Sequence, residues 1–370
     1  MWLEEGLPPP WQSPATTRTG RPCAATDAAT PTLRESRMSV SPEVSIPTAP
    51  PVPHALSDHP TGLMIDAETR LRSWMASLPS RPPAPCAVVH PCDEPSLRGA
   101  LAAGIAGLIE PLIVAPQTRV RELAARLGLD ISRLELIDSA HSHDSAVRAA
   151  ELAAQGRVLM LMKGSLHTDE LLQAVLARTE LRTERRLSHI FRFDIPAYER
   201  PLLVTDAAIN INPDLAAKAD IARNVIALAH ALGLACPRLA ILSAVETVTP
   251  KIASTVDAAA LCKMAERGQI EGAIVDGPLA FDNAISLEAA RIKAINSEVA
   301  GRADILLVPG MEAGNILAKQ LEYFAGAAGC GVALGARVPI ALTSRSDPPI
   351  SRVASAALAR LALQQRDGLR

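Results

Sequence analysis

"RTERRLSHIFRFDIPAYERP", residues 182–201, breaks a rhythm that otherwise runs through most of the chain. It is charged, and it holds half of the chain's six phenylalanines and tyrosines. On either side of it, short aliphatic runs alternate with Ala- and Leu-rich stretches at helical spacing. The segment reads as a crossover between two domains or as a hairpin arm.

Before it come "CAVVH" (86–90), "PLIVA" (111–115) and "RVLMLM" (157–162). After it come "PLLVT" (201–205), "RLAILS" (238–243), "GAIVD" (272–276), "DILLVP" (304–309), "GVALG" (331–335) and "PIALT" (339–343). Stretches such as "SLRGALAAGIAGLI" (96–109) and "AAKADIARNVIALAHALG" (216–233) lie between them. Runs that are apolar on both faces and followed by a helix predict a mainly parallel sheet covered by helices. The interruption at 182–201 predicts two such sheets. Residues 1–60 hold twelve of the thirty prolines and no sustained periodicity. Such a segment cannot bury enough surface to offset its ordering entropy, so a disordered, proline-rich extension is expected over 1–80. Within it, "DAETRLRSWMASL" (66–78) has the pattern of a first amphipathic helix, ahead of a "PSRPPAP" linker. Met38 and Met64 are alternative starts.

The 370 residues are 48% hydrophobic but only 2% aromatic, so the core is aliphatic. A net charge of −2 supplies no basic field for nucleic acid, and stacking platforms for bases are missing. Six cysteines without a CxxC pair fit reduced thiols better than disulfides or structural zinc. No apolar run approaches membrane-spanning length, and the opening "MWLEEGLPPPWQ" lacks a signal-peptide pattern. A cytoplasmic protein is expected, with no membrane and no nucleic-acid partner.

In open parallel sheets, ligands bind beyond the carboxyl ends of the strands. Polar residues collect there: Lys163-Gly164-Ser165 before "LHTDE", Asp206 to Asn212, Glu246-Thr247, Gly310 to Asn315, and Ser344-Arg345-Ser346-Asp347. An isolated "SRSD" is a surface turn. Several such tips in succession predict a lined cleft. "MKGSLHT" (162–168) suits an anion held at a helix start, and equally suits Ser165 or Thr168 as an N-cap. It lacks the spacing of a Walker loop. "GAAGCG" (326–331) precedes a strand, so it reads as a tight turn and not as a dinucleotide loop. "HSHD" (141–144) has no third ligand nearby, and no metal is expected. No GxSxG elbow is present.

Taken together, "MKGSLHTDELL", "LLVTDAAINI", "AILSAVETVTPKIASTVDA", "IVDGPLAFDNAIS", "ILLVPGMEAGNILAKQL" and "VPIALTSRSD" resemble the landmarks of the phosphate acetyltransferase/phosphate butyryltransferase family, in its order. The resemblance spans about Cys86 to the C-terminus and looks closest to the branch also found fused behind enoyl-CoA hydratase-like domains. It implies two α/β domains of the isocitrate/isopropylmalate dehydrogenase type with an interdomain cleft. Domain I would be 81–185 plus 338–370, and domain II 186–337. It also implies a homodimer, and reversible acetyl transfer between coenzyme A and inorganic phosphate. The coenzyme A thioester is then a substrate, and no cofactor is expected.

By the same resemblance, Arg345 holds phosphate and the carbonyl oxygen, and Ser344 bonds the thiol or oxyanion. Lys163, Gly164 and Ser165 border the anion site, and Asn315 belongs to the substrate-binding set. The acetyl-type pattern has an aspartate seven residues after the serine, an arginine near 323 and an acid near 310; here Ser351, Tyr323 and Gly310 stand there. Asp347 becomes the substitute base, with an Arg352–Asp347 surface salt bridge as the rival account. Butyryl-CoA as substrate, a non-catalytic acyl-CoA sensor, and a metal- and NAD-dependent dehydrogenase on the same fold are the competing readings.

Overall fold

The computed structural model of the chain describes residues 66–344 and 347–367, with side chains to residue 363. The proline-rich stretch before residue 66, Arg345 and Ser346 lie outside the described residues. Eleven strands follow in order: β1 (Ala84–Val89), β2 (Ile109–Val114), β3 (Glu135–Ile137), β4 (Met160–Lys163), β5 (Ser188–Ile195), β6 (Tyr198–Thr205), β7 (Arg238–Leu242), β8 (Ile274–Leu279), β9 (Ile305–Leu307), β10 (Ala328–Leu334) and β11 (Ile340–Ala341). The helices are α1 (Ala67–Ser77), α2 (Glu94–Ile105), α3 (Gln117–Leu127), α4 (Ser142–Ala154), α5 (Thr168–Ala177), α6 (Leu215–Ala231), α7 (Ala253–Glu266), α8 (Phe281–Ile285), α9 (Leu287–Ile292), α10 (Met311–Tyr323) and α11 (Pro349–Asp367).

Local chemistry sets several of the boundaries. Asp66, Asp93 and Asp214 cap α1, α2 and α6 by accepting backbone N–H bonds of 2.7–3.0 Å. Gly128 ends α3 in the left-handed conformation, with φ at 65°. Ala-rich helix faces then let α4, α6 and α11 lie close on an aliphatic sheet.

All eleven strands form one sheet, in the order β3-β2-β1-β4-β11-β10-β5-β6-β9-β7-β8. The expectation of two sheets is therefore corrected. The segment at 182–201 supplies β5 and the start of β6, an antiparallel hairpin that pairs with β10 and fuses the halves. Pairings are parallel from β3 to β11 and again from β6 to β8. The three pairings between, β11–β10, β10–β5 and β5–β6, are antiparallel. Three reversals leave the two parallel blocks running in opposite directions. One row of partners, Met162, Ala341, Val332, Ile190, Thr205 and Leu307, crosses the join. The carboxyl ends of both blocks therefore stop at the same level and point to opposite edges of the sheet.

Helix α1 belongs to the packed body, so the disordered extension expected over 1–80 does not reach its last residues. Leu71 is buried, and Arg70 donates to the carbonyls of Ile195, Tyr198 and Glu199 at the hairpin tip. Trp74 lies 4.3 Å over the guanidinium of Arg192. Arg192 in turn bonds Asp194 at 2.6 Å, both side chains being 2% exposed. Asp194→Ala leaves that guanidinium buried without its anion, and the expected cost is about 3–5 kcal/mol. A urea unfolding midpoint shifted by that amount at constant slope checks it, and Arg192→Met with Asp194→Leu should recover most of the loss.

His189 on β5 is fully buried, edge-on to Phe191 at 4.4 Å. A side chain at Gly331 would come within 2.6 Å of its Nε2, so glycine makes room for the ring. Burial pushes the imidazole from 6.5 to about 3. Its folded value lies below its unfolded one, so the unfolded chain binds the extra proton between those two pH values. Stability contributed by the neutral ring is full above pH 6.5 and is lost as pH falls toward about 3. The acid limb of the thermal stability profile should be shallower in His189→Leu; an unchanged limb would remove His189 from the acid response.

Candidate active site

β11 lies parallel beside β4, with Ala341 opposite Met162. Both chains emerge from the same edge, Lys163-Gly164-Ser165 from one and Thr343-Ser344 from the other. The turn after β1 completes the floor. Gly164 packs so tightly on it that an added Cβ would stand 2.4 Å from the Val89 oxygen and 2.6 Å from that of His90. Backbone cannot yield there, so glycine is obligatory. Ser165 donates its hydroxyl to the His90 carbonyl at 2.8 Å and accepts the Cys92 N–H at 3.3 Å. It is therefore not the N-cap of α5. That place belongs to His167, which makes no side-chain cap bond. Lys163 is 5% exposed, with its ammonium 3.5 Å from the Gly164 oxygen.

Asp347 folds back on Ser344. Its Oδ2 accepts the Ser344 N–H at 2.8 Å, and its Oδ1 lies 3.7 Å from the Lys319 ammonium on α10. Lys319 also bonds Glu322 at 2.6 Å. Burial works against the Lys319 charge, but Glu322 and Asp347 outweigh it and raise its pKa. Arg352 does not form the surface salt bridge that was the rival account for Asp347. It is 2% exposed, donates to the Thr343 hydroxyl at 3.0 Å and to the Ser344 carbonyl at 3.1 Å, and fills the space left by Gly99 of α2. Its Nε has no partner among the described residues. Burial lowers its pKa, opposed by Asp93 and Asp347. A cavity of about 280 Å³ opens beside Asp347, walled by Tyr323, Ala328, Gly329 and Ser351.

Of the residues singled out from sequence, Lys163, Gly164, Ser165, Ser344 and Asp347 are thus placed on one edge. Arg345 lies outside the described residues. Asn315 sits near the start of α10, at the carboxyl ends of the second block and one turn before Lys319, with its amide on the Ala207 carbonyl at 3.3 Å. The tip at 206–212 leaves from the same carboxyl ends. Asp206 there accepts the N–H groups of Ala208, Ile209 and Asn210, which builds the loop. The tips leave the sheet in two groups because the strand direction reverses between them. Sequence reasoning missed Arg352 and Lys319 as site cations. The signal for Arg352 was a guanidinium on the face of "ISRVASAALARLAL" that is otherwise small and apolar.

Arranged in this way, the edge offers buried and half-buried cations, hydroxyls and backbone, which suits an oxyanionic ligand. No cluster among the described residues could hold a metal ion, and His141 of "HSHD" accepts the Asp144 N–H as the N-cap of α4.

Comparison with known proteins agrees. The model of the family described as "Phosphate acetyl/butaryl transferase" matches residues 117–360. A phosphate acetyltransferase of Rhizobium meliloti is 57% identical over 293 residues, covering 79% of this chain and 93% of the relative. A phosphate butyryltransferase of Clostridium acetobutylicum is 40% identical over 270 residues, covering 73% and 90%. Among solved structures, a branched-chain phosphotransacylase from Enterococcus faecalis V583 superposes with a TM-score of 0.66 at 30% identity, covering 75% of this chain and 99% of that one. The chain belongs to the phosphate acetyltransferase/phosphate butyryltransferase family.

Proposed function

We propose that the protein is a phosphate acetyltransferase, which moves an acetyl group reversibly between coenzyme A and inorganic phosphate. The observation that carries this reading is the 57% identity to a phosphate acetyltransferase over nearly that protein's whole length. The chemistry asks for charge neutralisation at phosphate, donors at the tetrahedral oxyanion, and stabilisation of the departing thiolate. No covalent enzyme intermediate is needed, so positioning and electrostatics carry the rate.

In this reading Arg345 clamps phosphate and the carbonyl oxygen through its fork of donors. Lys163 adds a second, nearly buried charge, and Gly164 and Ser165 let the backbone approach the anion. Ser344 bonds the thiol sulfur or the oxyanion. Asp347 holds Ser344 through one carboxylate oxygen, and its other oxygen takes the thiol proton when coenzyme A is the acyl acceptor. Arg352 positions the Thr343-Ser344 turn from beneath. Coenzyme A thioester enters as substrate, and no further cofactor is required.

The two parallel blocks support a reading as two lobes, 81–185 with 338–370 and 186–337, of the isocitrate/isopropylmalate dehydrogenase type. A homodimer is supported by exposed Ile211, Val248, Phe281 and Ile316, which follow the carboxyl ends of neighbouring strands in the second block. A cytoplasmic location is supported by Cys86, Cys92, Cys236, Cys262 and Cys330, none of them in a disulfide. No helix among the described residues is long and apolar enough to cross a membrane.

Butyryl-CoA is the second reading, favoured by the cavity wall at Tyr323 and by the butyryltransferase relative. Mixing the protein with acetyl-CoA or butyryl-CoA and phosphate, then following free thiol, tests both. Phosphate-dependent release, faster with acetyl-CoA, is expected. Binding without release would instead identify an acyl-CoA sensor. Arg345→Ala should cost about 3 kcal/mol in kcat/KM, a drop of roughly 100- to 200-fold. A variant with near-normal turnover would take Arg345 out of the mechanism.

A further inference from the structure

At the opposite edge of the sheet a second notch opens, where the loop after β6 meets the crossover at 182–187 and the turn at 335–337. Two adjoining cavities of about 460 and 490 Å³ share walls at Thr183–Arg185 and Gly335–Ala336. This is the scale of small-molecule sites. Arg182, Arg185 and Arg186 line one or both, and Arg337 lines the first. Glu184 is the single acid in either wall. The nearby Asp220 is committed to Arg223 and to the Arg186 N–H. Among the described residues no carboxylate pairs with any of these four guanidiniums. Four like charges so placed repel one another, and an anion would relieve them.

The second observation is Asn224, which lines the first cavity and is 3% exposed. Its amide nitrogen donates to the carbonyls of Arg186 and Leu334 and to the Ser188 hydroxyl. Two carbonyl partners fix which side of the amide carries nitrogen. The Asn224 Oδ1 accepts no bond from the described residues and is open to the cavity, beside the apolar wall of Ala227, Leu228 and Leu334. An acceptor open to the cavity beside an apolar wall, flanked by guanidiniums, suits a base with an amino group joined to phosphates.

We propose that this notch is a second ligand site, for a nucleoside di- or triphosphate whose base carries an amino group. The base lies on the Leu228 wall with its amino group donating to Asn224 Oδ1, and the phosphates sit among Arg185, Arg186 and Arg337. The site is distinct from the cluster around Ser344. It is nonetheless tied to it: Thr183 donates to the Gly335 carbonyl, Arg337 donates its N–H to the Leu181 carbonyl at 2.8 Å, and the same turn leads into β11.

The test uses the full chain with ADP, ATP, desulfo-coenzyme A and inorganic pyrophosphate as probes, read by calorimetry and thermal shift. ADP or ATP should bind saturably and raise the Tm. Arg185→Ala with Arg337→Ala, both exposed, should weaken that binding at least about tenfold while leaving phosphate-dependent acyl transfer within roughly twofold. Ser344→Ala should leave it unchanged. If desulfo-coenzyme A displaces ADP and loses affinity in the same double variant, the notch belongs to the substrate and the proposal of a separate site is overturned; if it does not, the source is free nucleotide. The proposal is overturned if neither ADP nor ATP binds at millimolar concentration. Pyrophosphate matching ADP, binding that survives the double variant, or binding lost in Ser344→Ala would each overturn it too.

Discussion

Strand β11 is two residues long, and the rest of the molecule depends on its pairing on both sides. Ile340 and Ala341 are fully buried between β4, which they meet in parallel, and β10, which they meet antiparallel. Flanking bonds extend the grip, from the Leu161 N–H to the Pro339 carbonyl and from the Leu342 N–H to the Gly331 carbonyl, each 3.1 Å. A segment so short cannot hold itself in register by its own ladder. Its register comes from neighbours and from the buried Arg352 that grips Thr343 and Ser344 just beyond it. The same few residues join the two parallel blocks and deliver the serine to its edge. Fold and site therefore share one constraint.

That constraint explains the glycines at the join. Gly331 makes room for a buried imidazole and for the Leu342 carbonyl, and Gly164 makes room for the backbone after β1. A larger side chain at either place would push β10 or the loop after β4 away from β11. The charges follow the same logic. Arg352 and Lys163 are nearly buried, where each needs a nearby carbonyl, hydroxyl or carboxylate.

The alternation of aliphatic runs and helices was legible because strands buried on both faces have a composition unlike anything else in the chain. So was the position of α1, from Asp66 as cap and the apolar spacing of Leu71 and Trp74. Strand direction was not legible. "PLLVT" and "RVLMLM" look alike to a sheet, and nothing in either says that one runs against the other. The direction is set by how many antiparallel pairings separate them, a property of distant partners. β3 escaped because "ELI" is a three-residue edge strand, half-exposed. Arg352 escaped because it is polar on a helix, and only the missing side chain at Gly99 gives it a buried path.

The reversal also bears on why one sheet should offer two polar edges. Ligands gather beyond carboxyl ends because loops there are free to vary while the strands hold them. A sheet whose strands all ran one way would offer one such edge. Here the antiparallel core divides the strands, so each block presents its own carboxyl ends, at a common level but facing apart. One edge carries Lys163, Ser344 and Asp347. The other holds the notch under Asn210, walled by arginines from the crossover itself. The crossover at 182–187 and the turn at 335–337 both lead directly into the central strands, one into β5 and the other into β11. A ligand gripping both would stiffen the join from below, and the join is what places Ser344 above. Coupling between the two edges then needs no long relay, because β11 has its entry at one edge and its exit at the other.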